Sequence, residues 1–195
     1  MPNTIPVSCR PGQYVRLSVG TLSDIPCSVA NVPDETGQLV FQLRTGILTE
    51  ALSDYPIHVQ VLGPFGRWTP DPQRPCLLLA GGTGIAPFFS LLPSLLLTIP
   101  RVYLYWGVRK PDDLYYLERL KAYELQGLIW IPVVSHDTTH WSGKTGWVHE
   151  VAAQDIPDFT HWQVFASGPF DMVEQAFQQF TQQQLEPQYF YSDMR

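Results

Sequence analysis

The chain has 195 residues, of which 45% are hydrophobic and 15% are charged, and its formal net charge is −6. This length allows one large or two small domains with an apolar core, and the acidic balance with scattered basic residues argues against nucleic acid or acidic membrane surfaces as partners. Because no apolar run is long enough to span a membrane and the N-terminus lacks the features of a signal peptide, we expect a cytoplasmic protein.

The cysteines and histidines of the chain form no recognisable metal or disulfide pattern. Three dispersed cysteines without a Cys-x-x-Cys pair exclude a disulfide framework and a four-cysteine iron–sulfur cluster within this chain. His136 and His140 are four positions apart, but they lie in a polar stretch without a cluster of further ligands, so we expect no metal site there.

The first third of the chain predicts an antiparallel β-sheet. Short, partly alternating segments separated by turn residues predict strands over 13–19, 25–31, 38–44 and 56–62. Period-two spacing places Leu39, Phe41 and Leu43 on one face of their strand, and Ile57, Val59 and Val61 on one face of theirs. We therefore predict a small antiparallel sheet that forms part of a barrel, with Thr49 after Gly46 as the N-cap of a short helix over 50–53.

A glycine turn follows the next predicted strand. Residues 76–80 form a short apolar run that is typical of a strand buried on both faces, and an apolar helical segment follows the turn. Glycines allow a ligand to approach the backbone, and the first amides of a helix have no partner inside it. The turn therefore predicts a diphosphate site, and we expect Pro93 to shorten or kink the helix beyond it.

The rest of the chain alternates strands with helices. Strands are predicted over 101–106, 128–134 and 163–167, and helices over 112–125 and 170–185. Such alternation predicts a doubly wound parallel sheet, which binds its ligands beyond the carboxyl ends of the strands. The predicted fold has two domains, an incomplete antiparallel barrel over 1–72 and an α/β nucleotide-binding domain over 73–195.

Several motifs resemble those of one family in the same order along the chain. Gly81-Gly82-Thr83-Gly84-Ile85-Ala86-Pro87 closely resembles the nicotinamide-dinucleotide motif of the ferredoxin reductase superfamily, which includes the NAD(P)H:flavin reductases. Further matches are the Pro-Gly-Gln-Tyr strand at 11–14, the Gly-Pro-x-Gly turn at 63–66, the Gly-x-Arg and Asp-Leu-Tyr segments at 107–115, the segment at 167–172 and the Tyr-Ser-Asp run at 191–193. The resemblance extends from residue 11 to the end of the chain.

The resemblance implies a role for each matching residue. On the dinucleotide side, Arg109 and Ser135 contact the adenosine portion, Asp113 caps the helix after it, and Ser167 stands in a cysteine position beside the nicotinamide. On the flavin side, Ser28 lies near flavin N5, while Thr49 either meets the flavin phosphate or only caps its helix. The cofactor-binding residues implied are Pro26, Cys27, Ser28, Val29, Gly46, Thr49, Gly81, Gly82, Thr83, Gly84, Pro87, Arg109, Ser135, Gly168 and Pro169, and those at the reaction are Ser28 and Ser167.

The flavin half also departs from the family pattern. Ile25 replaces the arginine that meets a flavin phosphate, Cys27 replaces an aromatic residue, and Met194 stands where an aromatic residue often covers the flavin. Two family strands normally precede the Pro-Gly-Gln-Tyr strand, but here only a short proline-containing segment does. We expect weak flavin binding and an open barrel, whose edge is covered by a second protomer unless the sequence lacks part of the native chain.

The resemblance implies an NAD(P)H-dependent flavin oxidoreductase that transfers hydride from NADH or NADPH to FAD, FMN or riboflavin as a loosely bound partner. One alternative is a flavoprotein reductase component that passes electrons through bound FAD to a separate ferredoxin or oxygenase. A second alternative is a degenerate, non-catalytic module that binds a nucleotide or a partner subunit. NADH is slightly favoured over NADPH, because no clear pocket for the additional phosphate is recognisable.

Overall fold

The structure is a computed structural model, and it describes residues 8–32, 37–53 and 58–192. The chain divides into two compact units. The first unit includes the described residues up to Trp68 together with 86–91, and the second includes 69–85 and the described residues from Leu92 onward. Helix α2 (Ala86–Thr98) thus begins in the first unit and ends in the second.

The first unit contains a three-stranded antiparallel sheet. Its elements are β1 (Tyr14–Val19), β2 (Leu22–Ser28), α1 (Ile47–Ala51) and β3 (Val59–Phe65), and the strand order is β2-β1-β3. Buried and partly buried side chains alternate along β1, since successive residues of a strand point to opposite faces and Val15, Leu17 and Val19 are buried. In the register of β1 and β2, Val15 lies opposite Cys27 and Leu17 opposite Ile25. One face of the sheet therefore carries the core, which comprises Cys9, Val15, Leu17, Cys27 and Val29.

The segment 38–44 is not a strand, which corrects the prediction made from its alternation. Val29 and Phe41 form an isolated bridge, and the backbone amide Val40 N donates to the side-chain oxygen Asn31 Oδ1 at 2.8 Å. Asn31 Nδ2 in turn donates to Gln38 O at 2.9 Å. Because the side-chain amide of Asn31 makes the hydrogen bonds that a neighbouring strand would otherwise make, this segment forms no ladder. The alternation still has a consequence, since Leu39, Phe41 and Leu43 all pack against the core.

The predicted strand over 56–62 corresponds to β3, which begins at Val59. Ile57 lies outside the described residues. All residues of β3 except Phe65 are exposed, and Leu62 is 62% exposed. Strand β3 therefore contributes hydrogen bonds to the sheet but little to the described core.

The second unit contains a parallel sheet, as predicted, and this sheet has six strands. Its strands are β4 (Cys76–Gly81), β5 (Val102–Val108), β6 (Leu128–Val134), β7 (Lys144–Thr145), β8 (Gln163–Ser167) and β9 (Phe190–Tyr191). The helices that follow α2 are α3 (Leu117–Glu124), α4 (Val148–Asp155) and α5 (Phe170–Gln182). The strand order is β7-β6-β5-β4-β8-β9, and every pair is parallel.

The central strand of this sheet explains where a ligand can bind. Residues 76–80 of β4 are all 0% exposed, because β4 is covered on both faces. From β4 the chain proceeds outward through β5 and β6 on one side, and later returns to place β8 on the other side. The carboxyl ends of β4 and β8 therefore flank the topological switch point, where doubly wound sheets bind their ligands.

The structure differs from the predicted extent of two helices. Helix α2 is not shortened at Pro93 but continues through it to Thr98, because fully buried residues such as Phe89, Leu92 and Leu95 hold the helix in place. The helix predicted over 112–125 begins only at Leu117. It is preceded by a 3₁₀ turn at Pro111–Asp113 and by Tyr116, whose φ of 55° is left-handed.

Within the described residues, no helix combines the length and the apolar character that crossing a bilayer requires.

Candidate functional site

The turn after β4 leaves room beside its backbone. Gly82 has a left-handed φ of 55°, and a β-carbon at this position would have no atom within 4 Å. A non-glycine residue is strained in this conformation, and any side chain would extend into the open space. The carbonyl oxygen of Gly82 accepts a hydrogen bond from Trp106 Nε1 at 2.8 Å. The turn thus presents bare, ordered backbone to an approaching ligand.

The turns after β4 and β8 touch each other through their backbones. A β-carbon at Gly84 would collide with the carbonyl oxygen of Ser167 and would lie 2.9 Å from Gly168 Cα. A β-carbon at Gly81 would lie 2.8 Å from Pro169 Cδ, and one at Gly168 would lie 3.0 Å from Gly81 Cα. Glycine is required here for close approach. The structure therefore brings together five of the residues that the sequence singled out from two distant motifs.

The first amides of the helical segment after this turn have no side-chain cap. A 3₁₀ turn over Gly82–Ile85 leads into α2, whose N-cap residue Ile85 has no side chain that can accept a hydrogen bond, and Pro87 lies in the first turn. The amide groups at such a terminus and the helix dipole attract anions. The hydroxyls of Thr83 and Ser167 make no hydrogen bond within the described part of the chain. Open space, these two hydroxyls and bare backbone together suit a diphosphate group.

The residues expected on the adenosine side lie at the ends of two neighbouring strands. Ser135 N donates to Val108 O at 2.9 Å and Ser135 Oγ donates to the same oxygen at 3.2 Å. His136 N donates to Arg109 O at 3.1 Å, and the Arg109 side chain is exposed. Arg109 and Ser135 are thus brought together at the carboxyl edge of the sheet, where the sequence placed them.

Asp113 caps a shorter element than predicted. Its Oδ2 accepts a hydrogen bond from Lys110 N at 3.3 Å, which closes the 3₁₀ turn rather than the first turn of α3. The prediction of a capping role was right in kind, but the helix that it was meant to cap begins later in the chain.

An aromatic cluster near the glycine turn escaped the sequence reasoning. Trp106 is fully buried, and its ring meets that of Tyr115 edge to face with centroids 5.0 Å apart. The Tyr115 and Tyr116 rings meet at 5.3 Å, and burial raises the pKa of the Tyr115 phenol. The available signal was the Asp-Leu-Tyr-Tyr run, which follows a strand that ends in Trp-Gly.

In the first unit, β2 divides the expected flavin residues between its two faces. Cys27 and Val29 are 6% and 1% exposed and belong to the core, and burial raises the pKa of the Cys27 thiol. Pro26 and Ser28 lie on the opposite face and are accessible. The Ser28 hydroxyl makes no hydrogen bond to any of the residues that the structure describes. Of these four residues, Pro26 and Ser28 therefore have side chains available to a ligand.

Gly46 and Thr49 hydrogen-bond to each other. Gly46 N donates to Thr49 Oγ1 at 2.9 Å, and Thr49 Oγ1 donates to Gly46 O at 2.8 Å. Thr49 is the third residue of α1 and not its N-cap, because the helix begins at Ile47 instead of residue 50. The predicted N-cap role is corrected, and the hydroxyl of Thr49 has a structural use within the loop.

Comparison with known proteins agrees with this geometry. The family described as "Oxidoreductase NAD-binding domain" matches residues 78–178. The NAD(P)H-flavin reductase of Vibrio harveyi is 30% identical over 195 residues, which cover 91% of this chain and 82% of that protein. Among solved structures, that of the Amycolatopsis cytochrome P-450 reductase GcoB has a TM-score of 0.83 at 28% identity, over 97% of this chain and 62% of that one.

A longer relative shows how much of such proteins this chain represents. The CDP-6-deoxy-L-threo-D-glycero-4-hexulose-3-dehydrase reductase of Yersinia pestis is 30% identical over 203 residues, and the match covers 99% of this chain but 61% of that protein. The chain thus spans about three fifths of the length of that relative. With the family match over residues 78–178 and the flavin reductase similarity along most of the chain, this protein belongs to the ferredoxin reductase superfamily and contains its oxidoreductase NAD-binding domain.

Proposed function

We propose that the chain is an NAD(P)H-dependent flavin oxidoreductase, which transfers hydride from a nicotinamide dinucleotide to a flavin. The observation that carries this proposal is the turn after β4, where Gly82 leaves open space beside the first amides of a helix. Membership of the superfamily and similarity to a flavin reductase over most of the chain support the same function.

The dinucleotide is assigned to the second unit. The backbone amides of Thr83 and Gly84 would hold its diphosphate, since they lie in the 3₁₀ turn that leads into the uncapped N-terminus of α2. Arg109 and Ser135, at the ends of β5 and β6, would hold the adenosine portion. Ser167 and Gly168 are assigned to the nicotinamide, because their backbone lies against the same glycine turn.

The residues near the reacting groups have a positioning role in this proposal. The bound dihydronicotinamide supplies hydride and the flavin accepts it, so no side chain needs to act as an acid or base on the nicotinamide. Ser167 would orient the nicotinamide, and the accessible Ser28 would offer its hydroxyl to the flavin. Holding reacting groups in line is sufficient to account for a large part of the rate in such reactions.

The flavin is proposed to be a diffusible substrate. Ile25 is half-buried against the core and provides no charge for a phosphate, while Cys27 is buried in the core and cannot contact a ring system outside it. Among the residues of β2 that the resemblance assigns to the flavin, Pro26 and Ser28 are accessible. Few contacts favour weak binding, and riboflavin, FMN and FAD are therefore all candidate substrates.

Steady-state oxidation of NADH and NADPH with added riboflavin, FMN or FAD tests the function. We expect turnover with at least one flavin, and loss of turnover in a Gly82→Val variant purified in parallel, which controls for contaminating reductases. Absence of turnover with every flavin would refute the proposal. Calorimetric binding of dinucleotide without flavin would instead select the non-catalytic alternative.

A reductase component of an electron-transfer chain is the second candidate. Similarity to the Yersinia pestis reductase and to the Amycolatopsis cytochrome P-450 reductase supports it. This function requires stably bound FAD and a separate acceptor protein, so a flavin absorption spectrum in the freshly purified protein would favour it.

A second protomer that packs against the exposed strand β3 is a further proposal. Measurement of the molecular mass in solution tests it.

A further inference from the structure

The indole of Trp106 is hydrogen-bonded to the residue at the centre of the glycine turn. Trp106 lies near the end of β5 and is 0% exposed. Its single polar atom, Nε1, donates to Gly82 O at 2.8 Å. A buried indole N–H that lost its acceptor would be left unsatisfied, so this contact constrains both residues.

This hydrogen bond fixes the orientation of one peptide group. In a trans peptide the C=O and the following N–H point in opposite directions within one plane. Because Gly82 O points toward Trp106, the N–H of Thr83 points away from it. Thr83 follows a glycine with a φ of 55°, a conformation at which no side chain restrains the backbone. Trp106 provides the restraint that a side chain at residue 82 would otherwise provide.

The indole is itself held in place. The Tyr115 ring meets the Trp106 ring edge to face, with an interplanar angle of 86°. In the sheet register Ala80 lies opposite Trp106, so the backbones of β4 and β5 set the distance between the indole and the turn. The donor is therefore fixed from two directions before any ligand arrives.

We propose that Trp106 is a positioning residue for the diphosphate of the dinucleotide, which holds the Gly82–Thr83 peptide with its N–H available to the anion. The inference rests on the proposed function, since it assumes that this turn binds a dinucleotide. Trp106 touches no ligand itself. It acts by ordering the peptide in advance, which removes an entropic cost from binding.

Two variants at residue 106 test the proposal. Trp106→Phe removes the N–H donor but also part of the ring. Site-specific replacement of Trp106 by benzothienylalanine, in which sulfur replaces the N–H, removes the donor and retains the shape. Trp162→Phe is the matched control, because Trp162 is a partly buried tryptophan of the same unit that packs against Tyr103 and Phe159.

Calorimetric titration with ADP-ribose, which carries the diphosphate without the nicotinamide, gives the decisive readout. We expect its Kd to rise about 3- to 10-fold in both variants at residue 106 and to stay unchanged in Trp162→Phe. For NADH oxidation with saturating flavin, KM should rise by a similar factor while kcat stays constant, because the lost interaction is made equally in ground and transition states.

The outcomes separate this inference from the proposed function. If wild-type protein binds ADP-ribose and the benzothienylalanine variant binds it equally well, the positioning role is overturned while the proposed function stands. An increase in Kd as large in Trp162→Phe as at residue 106 also overturns it, since the effect would then be general. If wild-type protein binds neither ADP-ribose nor NADH, the proposed function fails and this inference fails with it.

Discussion

The two units build their expected ligand sites from different parts of the chain. In the second unit, the proposed site is made of backbone at Gly82, Gly84 and Gly168, where close contacts or a left-handed φ require glycine. In the first unit, the flavin contacts that the resemblance implies depend on side chains, and here Cys27 belongs to the core and Ile25 packs against it. A site made of backbone loses a contact only when the fold itself changes. A site made of side chains can lose one contact through a single substitution.

The sheets of the two units also differ in the burial of their strands. Residues 76–80 of β4 are fully buried, whereas nearly all of β3 is exposed. Burial on both faces fixes the end of β4 and therefore the turn that follows it. The second unit thus has the more constrained ligand site, and the following predictions can break or sharpen that contrast.

The largest effect is expected from Gly84→Ala in the second unit. The added methyl group would collide with the Ser167 carbonyl, so either turn must move. We expect a decrease in the free energy of unfolding of about 2–4 kcal/mol and loss of ADP-ribose binding. Urea denaturation and calorimetry measure the two effects.

Gly46→Ala in the first unit is the matched control for this change. Gly46 has no atom within 4 Å of a β-carbon, so we expect a decrease of less than about 1 kcal/mol in the free energy of unfolding. Equal effects at residues 84 and 46 would remove the contrast between the two units.

Cys27→Tyr is expected to destabilise the first unit rather than restore a flavin contact. Cys27 is 6% exposed and lies opposite Val15 in the sheet, so the larger ring overfills the core. We expect a loss of about 1–3 kcal/mol, compared with less than about 1.5 kcal/mol for Cys27→Val, which adds little volume. Urea denaturation provides the comparison. Tighter FMN binding by Cys27→Tyr without loss of stability would contradict the assignment of this side chain to the core.

A smaller effect is expected from the protonation of His149 in the second unit, which makes the free energy of unfolding depend on pH. His149 is 4% exposed, and burial lowers its pKa below the usual value, partly opposed by Glu150 and Gln175. Its neutral form is therefore favoured in the folded state. As pH falls below about 6.5, the unfolded chain gains a proton that the folded chain does not, and stability decreases until the folded-state pKa is reached.

Replacing His149 by Gln should flatten this dependence. The free energy of unfolding, measured by urea from about pH 7.5 to about pH 5.5, should change less with pH in His149→Gln than in wild-type protein. His140→Gln is the control, because it makes the same replacement at an exposed position of the second unit. An unchanged slope in His149→Gln would exclude this residue as the source.

The smallest effect is expected from Ser167→Ala. Its hydroxyl has a positioning role in the proposed reaction, so kcat should fall by less than about threefold, far below the factor of about 10²–10⁴ typical of a general acid or base. Flavin-dependent NADH oxidation measures it, with Ser28→Ala as the comparison in the other unit. A loss of about a hundredfold at Ser167 would assign it a chemical role.

The parts of the fold that the sequence predicts are those set by local pattern. The apolar run at 76–80 indicates a buried strand, because a strand covered on both faces needs apolar residues throughout. The glycines after it indicate a ligand turn, because glycine permits close approach to the backbone. Alternation in 38–44 gave the right face but the wrong element, since the Asn31 side chain replaces strand hydrogen bonds. Strand propensity alone cannot predict that a side chain will take the place of backbone hydrogen-bond partners.

Contacts between distant residues were beyond local pattern. The hydrogen bond from Trp106 to Gly82 joins positions 24 residues apart, and it depends on the register of β4 and β5. The left-handed Tyr116 makes the helix predicted over 112–125 begin only at Leu117, although no glycine in the neighbouring sequence indicates a left-handed residue there. Predicting either feature requires the three-dimensional arrangement of the strands.

The buried free cysteines give each unit its own chemical reporter. Cys27 lies in the core of the first unit and Cys76 begins the central strand of the second, and both are free and shielded from solvent. Because thiolates and not thiols react with alkylating reagents, burial that raises the pKa of both thiols protects them in the folded protein. Timed alkylation followed by peptide mass spectrometry can therefore rank how often each half of the molecule opens, without any label being engineered into the chain.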